Sequence, residues 1–216
     1  MKKTLGIAIP TYNKHISYLK DMLDLISMST VLPEQVSISA SSFNGNEPEI
    51  SHYPFEVIFT PTKESKNAAQ NRNIAGSKLT TDIISFIDGD DLPHIKRNEM
   101  ILKYFETNTL PVVHDYFRES KRDLSYTNKD VGELDYKVGI INSITKDAYH
   151  HPFPKNEKSI SYHNAHLSLL NEDFKKFKYN EDKSVERRED SIYNRQLVEN
   201  GVFISYIKNK LSFYVK

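Results

Sequence analysis

The first hundred residues alternate between short apolar runs and stretches whose apolar positions have helical spacing. One run, residues 83–87, has the length and the β-branched content of a buried strand. Elsewhere, Leu19, Leu23 and Ile26 repeat at intervals that place them on one face of a helix. The pattern predicts strands over 5–9, 36–39, 55–59, 83–87 and 112–117, and helices over 16–26, 67–79 and 93–105. Strands that alternate with helices favour an α/β fold with a mostly parallel sheet flanked by helices.

Prolines and polar residues set several of the expected boundaries. Pro10 lacks the amide that a central strand donates, so we expect the first strand to end there. Pro93 suits the first turn of a helix. Ser65 or Asn67 is the expected N-cap of the helix over 67–79.

The second half of the chain has a weaker pattern. Residues 118–158 are polar, mixed in charge and irregular, as functional loops often are. Asn171 is expected to cap a short helix, and Asn200-Gly201 is expected to end a longer one. The remaining predicted elements are strands over 160–170, 202–207 and 211–215.

Three carboxylates follow the strand over 83–87, in the sequence Asp88-Gly89-Asp90-Asp91. A strand that ends this way delivers acidic groups to the carboxyl edge of the sheet, where α/β folds bind ligands. Carboxylates this close repel one another, and a hard divalent cation compensates them through oxygen ligands. The alternative is a solvated acidic turn, since Asp-Gly is a common turn signal. Taken alone, the stretch fits both interpretations.

Composition narrows the class of protein. The chain has 216 residues, enough for one domain, with 29 basic and 29 acidic residues and a formal net charge of zero. This balance gives no support to general attraction to nucleic acid or to an anionic membrane. There are no cysteines, and no run approaches the ~20 apolar residues of a membrane span. We therefore expect a soluble, cytoplasmic protein.

Separated segments of the chain line up with one known family. They are residues 7–14 (Ile-Ala-Ile-Pro-Thr-Tyr-Asn-Lys), 71–76 (Asn-Arg-Asn-Ile-Ala-Gly), 84–93 and Glu189-Asp190. In order and spacing the chain resembles family 2 glycosyltransferases of the GT-A fold, over nearly its whole length. The resemblance implies one GT-A-type domain: a nucleotide-sugar-binding half over 1–110, and an acceptor-binding half over 111–216 with a small mixed sheet.

The resemblance also implies an activity and the residues that carry it. The expected reaction is a metal-dependent, inverting transfer of a sugar from a nucleotide-diphosphate sugar, with UDP as the expected nucleotide, to a hydroxyl acceptor, with a glycan as the expected acceptor. Asp190 would act as the catalytic base. Asp88 and Asp90 would bind Mn²⁺ or Mg²⁺. The residues expected to bind the nucleotide sugar are Pro10, Thr11, Tyr12, Asn13, Arg72, Asp88 and Gly89.

The sequence departs from the family pattern at the second strand. That strand usually ends in an acidic pair which helps to hold the base, whereas this chain has Ser39-Ala40-Ser41-Ser42. The chain also lacks tryptophan and has no histidine after His166, so a late Trp-containing motif and a late histidine ligand are both missing.

Several alternatives stay open. The chain could be a non-catalytic nucleotide- or sugar-binding domain, or a glycosyltransferase that acts on a protein or on a hydroxylated nucleic-acid base. A nucleotidyltransferase lacks support because no glycine-rich, basic phosphate loop lies near the N-terminus. Without the resemblance, Arg72 would be an ordinary helix cation, and Asp190 an acid of the kind that is common in first helical turns.

Overall fold

The computed structural model describes residues 2–119, 121, 123–141, 164–185 and 188–215. The strands are β1 (Leu5–Tyr12), β2 (Gln35–Ser41), β3 (Glu56–Pro61), β4 (Ile83–Phe86), β5 (Leu92–Pro93), β6 (Val112–Glu119), β7 (Tyr136–Ile141), β8 (Leu167–Leu170) and β9 (Ile204–Val215). The α-helices are α1 (Leu19–Ser27), α2 (Ala68–Ser77), α3 (Arg97–Thr107), α4 (Asn171–Lys176) and α5 (Glu189–Glu199). Part of the predicted 118–158 segment and the start of the predicted 160–170 strand lie outside the described residues.

The nine strands of the described residues join in one sheet, in the order β3-β2-β1-β4-β8-β6-β9-β5, with β7 paired to β9. Strands β3, β2, β1 and β4 run parallel to one another, whereas β8 runs antiparallel to both β4 and β6. The predicted α/β class is confirmed. The strands beyond β4, which pair in mixed directions, continue the parallel part of the sheet. The division into two functional halves stays a prediction.

Strand β1 continues through Pro10 to Tyr12, so the predicted end at Pro10 is wrong. The side of β1 that faces β4 explains this. The register between these strands ends at Ala8 and Phe86, and beyond it the amide of Gly89 donates to the carbonyl of Pro10. Pro10 therefore lies where β4 has already ended, and no acceptor of that strand needs its missing amide.

Two expected helix starts are also wrong. Pro93 belongs to the two-residue strand β5, in which Leu92 pairs with Phe213 of β9, and α3 begins only at Arg97. Asn171 does not cap α4, because its side-chain amide donates to the carbonyls of Leu79 and Thr81. Both residues are held by partners that are distant in sequence.

The predicted strands over 202–207 and 211–215 form one long strand, β9. Its pairing with β6 shifts in register on either side of Asp115, which lets the strand run on past the irregularity. The predicted end of α5 is confirmed, since Asn200 is its C-cap and Gly201 has a φ of +78°.

Helix α2 lies against the parallel part of the sheet and is fixed at both ends. Asn67 forms a capping box with Gln70, which confirms one of the two expected N-caps. Near its C-terminal end, Gly76 lies against the buried ring of Phe174 from α4, so closely that an added Cβ would be 2.6 Å from the ring. This contact fixes α2 at a short distance from α4.

We expect Gly76→Ala to destabilise the protein. Alanine favours a helix by about 1 kcal/mol, but overpacking a core costs about 1–3 kcal/mol, and the Phe174 ring is fully buried. The expected net loss of about 1 kcal/mol lowers Tm by about 2–4 °C in a thermal melt. Ser77→Ala, at the exposed next position, is the control. A Tm for Gly76→Ala at or above that of the wild type would show that the two helices are not tightly packed.

Candidate functional site

A pocket of about 380 Å³ opens at the carboxyl ends of β1 and β2, beside the loop that follows β4 and the N-terminus of α2. This is the edge at which open α/β sheets bind ligands. The lining residues are Pro10, Thr11, Tyr12, His15, Ser41, Ser42, Ser65, Lys66, Asn67, Ala68, Asn71, Asp88 and Asp90.

One end of the pocket is acidic and closely packed. Asp88 and Asp90 line it, and Gly89 between them packs against β1. A Cβ on Gly89 would lie 2.4 Å from Oγ1 of Thr11, so only glycine fits between this loop and the strand. The buried Thr11 hydroxyl itself has no hydrogen-bond partner among the described residues.

The guanidinium of Arg72 connects the acidic loop to helix α5. One terminal nitrogen donates to Asp88 Oδ1 at 3.0 Å, and the other donates to Asp190 Oδ1 at 2.9 Å and to Glu189 Oε1 at 3.2 Å. Only 2% of the Arg72 side chain is exposed. Burial acts to lower the pKa of Arg72, but the surrounding charges, first Asp190 and then Asp88, raise it well above its ordinary value.

Most of the predicted site residues come together. Pro10, Thr11 and Tyr12 line the pocket, whereas Asn13 begins the 3₁₀ turn over Asn13–Tyr18 and is not part of the lining. Arg72 and Asp190 are joined by the hydrogen bond described above. Their assigned roles stay predictions.

The part of the pocket at the end of β2 is lined by hydrogen-bonded hydroxyl and amide groups, with Lys66 beside them. Ser39 donates to Oδ1 of Asn71, and the Asn71 amide in turn donates to the Ser41 hydroxyl at 3.0 Å. The sequence prediction missed Ser41, Ser42 and Asn71 as lining residues, although the position of 39–42 at the end of a strand is a usable signal. Ser42 has a φ of +52°, a conformation that is uncommon for a residue with a side chain.

A second buried charge lies beneath the acidic loop. Arg97 is fully buried; it donates to the carbonyl of Phe86 at 2.7 Å and to Nε2 of His114 at 3.0 Å. Because Arg97 can only donate, His114 must accept at Nε2 and donate from Nδ1 to the carbonyl of Asp115. Burial, and then the Arg97 charge, hold the pKa of His114 well below its ordinary value.

Asp91 points away from the pocket into this buried region. Only 1% of its side chain is exposed, and its Oδ2 lies 3.5 Å from Nε2 of the buried His166. Burial lowers the pKa of Arg97 to about 10, and the charge of Asp91 is among those that oppose this shift. Asp91 therefore serves to anchor the loop that presents Asp88 and Asp90.

The donor chemistry of the acidic end fits a divalent cation. Mg²⁺ and similar ions bind proteins through one or two carboxylates and complete their coordination with phosphate oxygens and water. Asp90 lines the pocket and is 37% exposed at its side chain, whereas both oxygens of Asp88 accept hydrogen bonds from Arg72. Over the described part of the chain, no three His, Cys, Asp or Glu residues are grouped so that they could hold a metal by themselves.

The mostly parallel sheet, the pocket at its carboxyl edge and the acidic loop define an α/β protein of the GT-A type. A family model described as "Glycosyl transferase family 2" matches residues 6–166, and the chain belongs to this family. No protein of curated function matches the sequence. Within the described ranges, no helix is long and apolar enough to cross a membrane.

Solved structures of TarS from S. aureus are similar in fold. TarS 1–349 in complex with UDP superposes with a TM-score of 0.67 at 11% identity, and covers 99% of this chain and 60% of its own. TarS 1–349 in complex with UDP-GlcNAc gives a TM-score of 0.63 at 12% identity, covering 99% of this chain and 58% of its own. The chain thus spans about three fifths of these TarS structures, and 37% of the longer TarS chain.

The Arg72 ion pairs give the first prediction at the site. We expect Arg72→Met to lower the free energy of unfolding by about 3–5 kcal/mol, because it leaves clustered, partly buried carboxylates without their positive partner. Adding Asp190→Asn should recover about 1 kcal/mol of that loss, since the two residues interact directly. Urea unfolding of the four proteins in the double-mutant cycle measures both effects. Arg188→Met, on an exposed arginine, is the matched control.

The buried His114 gives a second prediction, about pH. Below pH ~6.5 the unfolded chain binds a proton at this histidine that the folded chain does not, so the free energy of unfolding falls as pH falls. His114→Gln can keep both hydrogen bonds and removes this term, so its loss of stability from pH 7 to pH 5 should be about 2 kcal/mol smaller than that of the wild type. Urea titrations at both pH values measure this, with exposed His52→Gln as control. Parallel curves for the wild type and His114→Gln would contradict the assignment.

Proposed function

We propose that this chain is a nucleotide-sugar-dependent glycosyltransferase domain that moves a sugar from a UDP-sugar to a hydroxyl acceptor, with a glycan as the acceptor class. The observation that carries the proposal is the ion pairing of Arg72 with both Asp88 and Asp190. It joins the acidic loop at the pocket to the predicted catalytic base. Membership of the family and the similarity to UDP-bound TarS support it.

The two ends of the pocket suit the two ends of a nucleotide diphosphate. The base can hydrogen-bond with Ser41, Ser42 and Asn71, which carry both donors and acceptors. The diphosphate then lies toward Asp88 and Asp90. A Mn²⁺ or Mg²⁺ ion held there by Asp90 and Asp88 would neutralise the charge of the departing UDP.

The transfer exchanges one bond for another at the anomeric carbon. The acceptor oxygen forms a bond to this carbon as the bond to the phosphate oxygen breaks, and the acceptor proton passes to a carboxylate of Asp190. A single base opposite the leaving group inverts the anomeric configuration. Arg72 keeps Asp190 in position at the first turn of α5.

A cytoplasmic location stays a prediction.

A ligand panel tests the binding half of the proposal. We would measure thermal stabilisation by nucleotides and nucleotide sugars, among them UDP and UDP-GlcNAc, with and without Mn²⁺. A ligand at a hundredfold excess over Kd stabilises by ~2.7 kcal/mol. The proposal predicts a shift for a UDP-sugar that requires Mn²⁺ and is lost in Asp90→Ala. If no nucleotide gives a shift, the proposal is wrong and the acidic loop has a structural role only.

Asp190→Asn tests the catalytic half. It keeps an acceptor for Arg72 but cannot take a proton, so we expect kcat to fall by about 10²–10⁴-fold while donor affinity stays within a few fold. Initial rates with the donor found above, and donor titrations, separate the two effects. Glu199→Gln, at the exposed end of the same helix, is the control. If the donor binds and the kcat of Asp190→Asn equals that of the wild type, the chain is a non-catalytic binding domain or uses another base.

The acceptor class needs its own comparison. Oligosaccharide, protein and hydroxylated DNA acceptors can be offered with the same donor, and transferred sugar can be followed by mass. The glycan proposal fails if only a protein or a nucleic acid is modified.

A further inference from the structure

His15 lies beside Asp90 at the acidic end of the pocket and has no role in the function proposed above. It lies in the 3₁₀ turn that follows β1, lines the pocket, and has 16% of its side chain exposed. Its Nδ1 is 3.5 Å from Oδ2 of Asp90. We propose that His15 binds, through Nδ1, the same divalent cation as Asp90. The inference rests on the metal-dependent function proposed above.

The imidazole ring of His15 is held in one orientation. Its Nε2 lies 3.1 Å from the hydroxyl of Tyr12, and its ring packs against Tyr12 with centroids 4.3 Å apart. The ring centroid of Tyr18 lies 5.7 Å from that of His15. Metal-binding histidines characteristically use their second nitrogen in this way, as a hydrogen bond that fixes the tautomer. When Nε2–H donates to Tyr12, Nδ1 carries a lone pair and faces Asp90.

The spacing between Nδ1 and the Asp90 oxygen suits two ligands of one ion. Ligands at bond lengths of about 2.1 Å are about 3.0 Å apart at a right angle and about 3.4 Å apart in a tetrahedral arrangement. The observed 3.5 Å is close to this range. His15 would join Asp90 and Asp88 at the ion, and the other coordination positions remain for diphosphate oxygens and water, as is usual for ions that bridge a protein to phosphates.

The nitrogen ligand has a consequence for metal choice. Mg²⁺ prefers oxygen ligands, whereas imidazole binds first-row transition-metal ions well. Its affinity for these ions is higher for Co²⁺ than for Mn²⁺. The proposal therefore predicts that His15 raises the affinity for Mn²⁺ and Co²⁺ in the presence of UDP more than it raises the affinity for Mg²⁺. Oxygen ligands alone would give no such difference.

The test is pulsed EPR on Mn²⁺ bound to the whole chain with UDP. A directly bound imidazole gives ¹⁴N modulation in the electron spin-echo envelope, and a site of oxygen ligands does not. We expect the nitrogen signal in the wild type and in His52→Ala, which removes an exposed histidine far along the chain. We expect its loss in His15→Ala, together with a Mn²⁺ affinity at least about 10-fold weaker by titration.

The outcomes separate this inference from the proposed function. If the wild type binds Mn²⁺ and UDP without a ¹⁴N signal, or if the signal persists in His15→Ala, the His15 assignment is overturned and the metal-dependent function stands. If the wild type binds no Mn²⁺ with UDP, both the His15 assignment and the metal-dependent function are overturned.

Tyr12→Phe tests the contact that orients His15. The nitrogen signal should remain, but with a broader distribution of ¹⁴N hyperfine couplings, because the imidazole ring loses its hydrogen bond to the Tyr12 hydroxyl.

Discussion

The buried guanidinium of Arg72 is the interaction on which the site depends. A fully buried positive charge requires negative partners, and Asp88, Glu189 and Asp190 would repel one another without it. The partners come from the loop after β4 and from the first turn of α5, which are a hundred residues apart in sequence. The position of α5 against the sheet and the shape of the acidic loop are therefore coupled, and neither half of the site is complete by itself.

The rest of the pocket is arranged around this charged centre. Beneath the acidic loop, the buried Arg97 holds the end of β4 through the Phe86 carbonyl and lies in the field of Asp91. At the far end, Ser39, Asn71 and Ser41 form a neutral hydrogen-bonded row. The pocket thus has an acidic end, which suits a cation, and an end whose hydroxyl and amide groups offer donors and acceptors. A nucleotide diphosphate bound with a metal ion has the same two requirements.

Local signals predicted much of the fold. The apolar runs located the parallel strands, and Asn67 and Gly201 marked the ends of helices because capping depends on nearby backbone groups. Features that depend on distant partners were missed: Pro10 remains in β1 because β4 ends beside it, and the Asn171 amide is used by carbonyls about ninety residues earlier. The motifs selected Arg72 and Asp190, but no local pattern could show that they touch.

A crystal structure of the chain with Mn²⁺ and the UDP-sugar that gives the largest thermal shift would show directly whether the pocket beside Arg72 binds the donor. We expect the diphosphate beside Asp88 and Asp90 and the base beside Ser41 and Asn71. We also expect an Asp190 oxygen on the side of the anomeric carbon opposite the phosphate, with the Arg72 contacts intact. A nucleotide bound outside this pocket, or a sugar whose anomeric carbon faces away from Asp190, would contradict it.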